Sequence, residues 1–210
     1  MTGLMNEFNP NELAAISWPD KRIRIQNVAN INSMEIPCFP SFIKNSSCAN
    51  EVLSRAFKRT ADIAVFHHDK DSPRLHPDSL YMPIMYLYRH SIELLLKEFV
   101  FQLKQLRLIN QKDADSALDL HNLHKLWNLI KPTIISSNPK GNPKIVSNAE
   151  LILQDLHIAD NNGQLFRYAT GKGGSVTSND YPDFVDLKQI HDGISALHNF
   201  LSGCLNQIDQ

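Results

Sequence analysis

YMPIMYLYRHSIELLLKEFVF, Tyr81 to Phe101, is the stretch on which the fold turns. Ile84, Met85, Leu87, Tyr88, Ile92, Leu94, Leu95 and Leu96 surround a few charges, and the spacing predicts one long helix from Asp78 or Ser79 to about Leu108. So apolar a helix belongs at the centre of a bundle. Pro83 falls in its first turns, where proline is tolerated; a kink or split there is the alternative. A membrane span needs about 20 mostly apolar residues, and Arg89, His90, Glu93, Lys97 and Glu98 interrupt this one.

Shorter helical patterns lie on either side. Val52, Leu53, Ala56, Phe57, Ala61, Ala64 and Val65 recur at spacings of three and four, predicting a helix over residues 49–68 with one buried stripe. The prolines and charges of DKDSPRLHP, Asp69 to Pro77, end it. Asn110 to Ala117 is polar and reads as a loop or helix end. Leu123, Leu126, Trp127 and Ile130 share a face of a helix from Leu120 to Ile130, which Pro132 stops or ends soon after. SSNPKGNPK, Ser136 to Lys144, is a turn-rich connector. Ser147 or Asn148 caps a helix carrying Ala149, Leu151, Ile152, Leu156 and Ile158, ended by Asp160 to Gly163. Thr170 to Pro182 reads as an exposed loop. Asp183 begins a last helix with Phe184, Leu187, Ile190, Ile194, Leu197, Leu201 and Leu205 as its stripe. The class is all-α: a bundle of about five helices around a long central one.

Residues 1–48 differ. Pro10, Pro19, Pro37 and Pro40 break any long helix there, while RIRIQNV, Arg22 to Val28, alternates like a short strand. They are expected to form an irregular or β-containing arm packed on the main domain, residues 49–210. The whole chain has 210 residues, 42% hydrophobic and 20% charged, with a formal charge of -1. That supports one core, excludes collagen-like and histone-like classes, and requires any nucleic-acid binding to use a local patch. Cys38, Cys48 and Cys204 are too few and too scattered for a disulfide scaffold or zinc knuckle. MTGLMNEFNPNE lacks the basic start and apolar run of a signal peptide. A cytoplasmic protein off the membrane is expected.

Chemistry concentrates on the central helix. His90, Glu93 and Lys97 share a face, and Arg89 stands four residues before Glu93, with Tyr86 one turn earlier. Charges in such apolar surroundings must pair, which predicts a half-buried cluster between helices. It serves either as a register lock or as the floor of a functional pocket. His121 and His124 are candidate partners for Glu93 from the next helix. Their spacing resembles a metal pair, but no third ligand follows at metal-site spacing, so no metal is expected. Arg167, flanked by Phe166 and Tyr168, is either a packing arginine or a phosphate contact. Gly171 to Ser175 fails the full phosphate-loop pattern, although Lys172, Gly173 and Gly174 are candidate phosphate contacts. No dinucleotide fingerprint, serine elbow or paired-cysteine motif is present, and no cofactor is expected.

YRHSIELLLKEF, then HNLHKLW, then FRYATGKGG, over roughly residues 50–205, together resemble the HEPN-like helical superfamily, in the branch associated with bacterial phage-defence and toxin–antitoxin systems. The resemblance implies a bundle of four or five helices, often dimeric, and frequently a metal-independent endoribonuclease. Arg89, Glu93 and Lys97 match the polar positions of the family's long helix. His121 matches the histidine opening the next helix, and Arg167 with Tyr168 the late arginine–tyrosine pair. No arginine of this chain stands at the family's catalytic spacing from a histidine.

Two functions therefore compete. In one, the protein acts on RNA as a defence or toxin-type enzyme. His90 or His121 is the general base toward a ribose 2′-hydroxyl, and Arg89, Lys97 or Arg167 stabilises the phosphorane. In the other, a non-catalytic module of the same kind binds a partner protein or nucleotide. A homodimer follows from the resemblance alone.

Overall fold

A computed structural model describes residues 49–67, 80–167 and 185–208. The arm expected over residues 1–48, the turn of residues 69–77, the start of the last helix at Asp183 and Phe184, and the loop carrying Lys172, Gly173 and Gly174 lie outside them. The described residues are helical, with no strand among them. Six α-helices follow in order: α1 Ala49–His67, α2 Tyr81–Gln105, α3 Gln111–Leu118, α4 Leu123–Ser137, α5 Pro143–Ala159 and α6 Leu187–Ile208. A 3-10 turn, Leu165–Arg167, lies between α5 and α6.

The 25-residue α2 is the axis. It packs against α1, α3, α4, α6 and the 3-10 turn, while α5 sits on α4 and α6. Ile84, Tyr88, Ile92, Leu95, Leu96, Phe99 and Leu103 of α2 are fully buried. Each such side chain contributes about 1.5–3 kcal/mol relative to exposure. Pro83 is the third residue of α2, where its missing N–H has no intrahelical partner to lose, so the helix runs on unbroken. None of the described helices is long and apolar enough to cross a membrane.

Several boundaries depart from the sequence expectation. The stretch read as a loop or helix end after α2 forms a separate helix, α3, because the Asn110 side chain accepts from the amides of Lys112 and Asp113 and caps it. Ala114 and Ala117 bury its inner face. Leu120 does not begin α4; the chain turns at His121, and Asn122 caps the helix by accepting from the Lys125 amide at 2.9 Å. Pro132 does not stop α4 at once; the helix runs five residues further, to Ser137. Pro132 and Asn128, whose carbonyl loses its usual intrahelical donor, lie on the exposed face, where a carbonyl without that bond is not cut off from solvent. The next helix starts at Pro143 rather than Ser147, with Asn142 as cap and proline at a favoured first position.

The expected stripes hold on α4 and along the described length of α6. On α1, Ala56 is exposed. On α5, Leu151 and Ile158 are exposed, and the buried line is Ala149, Leu153 and Leu156.

Candidate functional site

Arg89, Glu93 and Lys97 stand at successive intervals of four along α2. The side chain of Glu93 is only 3% exposed, so its charge must be met inside the protein. Glu93 Oε2 accepts from Arg89 Nη1 at 2.9 Å. Its Oε1 lies 2.7 Å from His121 Nδ1 and 3.1 Å from Lys97 Nζ. Burial opposes the carboxylate, but the His121 bond and the charges of Lys97, His121 and Arg89 outweigh it, holding Glu93 below its ordinary pKa. An ionised carboxylate only accepts, so His121 Nδ1 carries a proton. The imidazole's other nitrogen, Nε2, has no hydrogen-bond partner among the described residues, and half of the side chain is exposed. A buried acid thus orients an open imidazole.

Arg89 faces inward. Its Nε donates to the Asp160 carbonyl at 2.9 Å and its Nη2 to the His121 carbonyl at 2.7 Å. One guanidinium therefore ties α2 to the turn before α4 and to the end of α5. Asp160 extends the tie: its Oδ1 accepts from the amides of Gln164 and Leu165 at 2.9 and 3.1 Å, turning the chain into the 3-10 turn. Gly163 sits between them with a φ of 71°, and a Cβ there would meet Arg89 Nη1 at 2.8 Å. Both the left-handed backbone and the close approach require glycine.

The 3-10 turn delivers Arg167, exposed, with its guanidinium 5.9 Å from the Tyr86 ring centroid. Tyr86 stacks on His90 at 5.6 Å with the planes 7° apart, and Phe57 meets His90 edge-on at 4.6 Å. Burial lowers the pKa of His90; Glu93 raises it, while Arg89, His121 and Arg167 lower it further. Burial thus favours the neutral ring, beside the exposed Arg167.

The structure thus brings Arg89, Glu93, Lys97 and His121 into one bonded network, while His90 and Arg167, joined to each other through Tyr86, feel its charges without bonding to it. It does not bring in His124, which stacks on His157 at 4.6 Å. Tyr168, Lys172, Gly173 and Gly174 lie outside the described residues. Among the described residues no three or more His, Cys, Asp or Glu side chains are arranged to hold a metal ion.

Two features escaped the sequence reading. One is the Asp160–Gly163 clasp; its only signal was an acid before an Asn-Asn-Gly turn. The other lies where α1, α2 and α6 meet. Asp62 Oδ1 accepts from the Tyr88 hydroxyl at 3.0 Å and is 3.0 Å from His191 Nδ1, while Lys58 Nζ pairs with its Oδ2 at 2.9 Å. Burial, then Asp62, push the Tyr88 pKa well above its ordinary value. Nearby, Ser54 Oγ donates to the Ser91 carbonyl at 2.6 Å and meets His198 Nε2 at 3.0 Å. Lys58 and Asp62 share a helix face at a visible spacing of four, but their partner on α6 is set by tertiary packing.

No protein-family model, no curated protein and no solved structure matches this chain.

Proposed function

We propose that this chain is a HEPN-like, RNA-directed protein of the defence or toxin type, working in the cytoplasm as a metal-independent endoribonuclease. One observation carries the reading: His121, half open to solvent, is held at 2.7 Å by the buried carboxylate of Glu93. A carboxylate that fixes one ring nitrogen as a donor leaves the other, Nε2, as an open proton acceptor. His121 Nε2 would take the proton of a ribose 2′-hydroxyl. The 2′-oxygen then bonds to phosphorus, and the 5′-oxygen leaves with a proton from water. Arg167 and Lys97 supply positive charge for the phosphorane, and the Tyr86–His90 pair offers rings on which a base stacks. Arg89 is a positioning residue. The resemblance adds a homodimer and a partner protein of a defence system to the proposal.

The second reading is a non-catalytic module that binds a nucleotide or partner protein at the same surface. It draws support from Arg89, whose side chain is 3% exposed and bonded on three sides, leaving nothing for a phosphate. The test is incubation of purified protein with total RNA beside His121→Ala, His90→Ala and Arg167→Ala, each checked for native helix content. Cleavage should fall by about 10²–10⁴-fold without His121 and clearly without Arg167. RNA bound but left intact by every protein would move the conclusion to the binding module. RNA neither bound nor cut would end the RNA reading.

A further inference from the structure

A second polar groove opens on the other side of α1, away from His121, and it is independent of the function proposed above. Phe57 turns toward His90, whereas Arg55, Lys58, Arg59 and Asp62 line a groove of about 310 Å³ between α1 and α6. Across it, α6 presents Asn199, Ser202 and Asn206. The two stripes follow from spacing: positions 55, 58, 59 and 62 of α1, and 199, 202 and 206 of α6, each repeat at three and four residues.

Charge decides what fits. Arg55 lies 3.6 Å from Glu51, and Lys58 is paired with Asp62 at 2.9 Å. Arg59 has no ion pair or hydrogen bond among the described residues. Three cations and two carboxylates, Glu51 and Asp62, leave one positive charge in the groove, held on Arg59. A guanidinium fork suits a phosphate. The carboxylates would repel a polyanionic strand but accept hydrogen bonds from hydroxyl groups. The amides of Asn199 and Asn206 and the hydroxyl of Ser202 both donate and accept. Among the described residues lining the groove, only His198 carries a ring, and that residue is 4% exposed, so no aromatic platform is offered to a flat base.

We infer that this groove binds a small phosphorylated polyol, such as a sugar phosphate, with Arg59 on the phosphate and Glu51, Asn199 and Asn206 on the hydroxyls. The site size is at the lower end for small-molecule pockets, which matches a ligand of that kind.

The experiment is titration calorimetry on the full chain with glucose 6-phosphate, ribose 5-phosphate and glycerol 3-phosphate. Glucose, inorganic phosphate and adenosine monophosphate are run beside them. At least one polyol phosphate should bind with a Kd of about 1 mM or tighter, more tightly than glucose or phosphate alone. Arg59→Ala should weaken it about ten-fold or more and Asn206→Ala measurably, with Arg59→Lys intermediate; His121→Ala should leave it unchanged. The inference is overturned if none of the three binds, if phosphate alone binds as well, if adenosine monophosphate binds better, or if Arg59→Ala has no effect. None of these results bears on RNA cleavage at His121, so the two conclusions fail separately.

Discussion

Arg89 joins three segments through donors that nothing else in the cluster replaces. Removing it leaves Glu93 buried with less compensation and strips the Asp160 and His121 carbonyls of their bonds. Breaking a buried pair by removing one partner costs about 3–5 kcal/mol. Arg89→Met should therefore lower stability by that much in urea denaturation, and Arg89→Lys should recover less than half, since one ammonium cannot span three acceptors. A loss under 1 kcal/mol, roughly a surface ion pair's value, would mean the clamp is not what holds the site. Much of this was visible in the sequence. Arg89, Glu93 and Lys97 in an apolar helix demand partners, and His121 is a natural one. The carbonyl of Asp160 and the close approach of Gly163 were not visible, because a backbone acceptor leaves no mark on residue type. His124 was misplaced for a definite reason. His121 precedes the cap Asn122, so the two histidines never share a helical face.

The helices themselves were more legible than their ends. Periodicity located α1, α2, α4, α5 and α6, because a stripe of Leu, Ile and aromatic residues is written along each. Ends depend on single polar residues: Asn110, Asn122 and Asn142 each cap a helix, yet asparagine is as common in turns. The end of α2 is the clearest case. The Leu108 amide donates to the Leu103 carbonyl at 2.9 Å and the Arg107 amide to Lys104 at 3.1 Å, the reverse-turn closure that normally uses glycine. Here the left-handed position is Arg107, with φ 57°. That is why the helix stops at Gln105 and not at Leu108, and no glycine announced it. A left-handed non-glycine residue costs about 1–2 kcal/mol, partly offset by the greater freedom glycine has when unfolded. Arg107→Gly should thus stabilise the protein by about 0.5 kcal/mol. The denaturation midpoint should rise with an unchanged slope; a fall would show that the Arg107 side chain contributes more than its backbone costs.

The bundle as a whole closes through groups that do not tolerate charge. Ser54 of α1 donates to the Ser91 carbonyl of α2, so its oxygen is left to accept from His198 Nε2 on α6. Burial, then the charges of Lys58 and Arg55, lower the His198 pKa from 6.5 to about 4. The folded protein therefore holds this ring neutral where the unfolded chain protonates it. The stabilisation is fully present above 6.5, declines as pH falls, and is exhausted near 4, a loss of about 3 kcal/mol. His90 and His157 are lowered too, by burial first, and act in the same sense. Glu98 works oppositely: burial raises its pKa above 4.5, so its protonation favours the folded state as acid is added. Glu93 and Asp62 have lowered pKa values and withdraw support only below their ordinary 4.5 and 3.8. The first loss on acidification thus belongs to histidine and precedes the carboxylates. Urea unfolding across that pH interval should show stability falling steadily as pH drops from 6.5 toward 4. His198→Gln keeps a donor toward Ser54 but cannot ionise, and it should flatten much of that slope while lowering stability at neutral pH only modestly. An equally steep slope in that variant would move the pH sensitivity to His90 and His157, and with it the place where the bundle first opens.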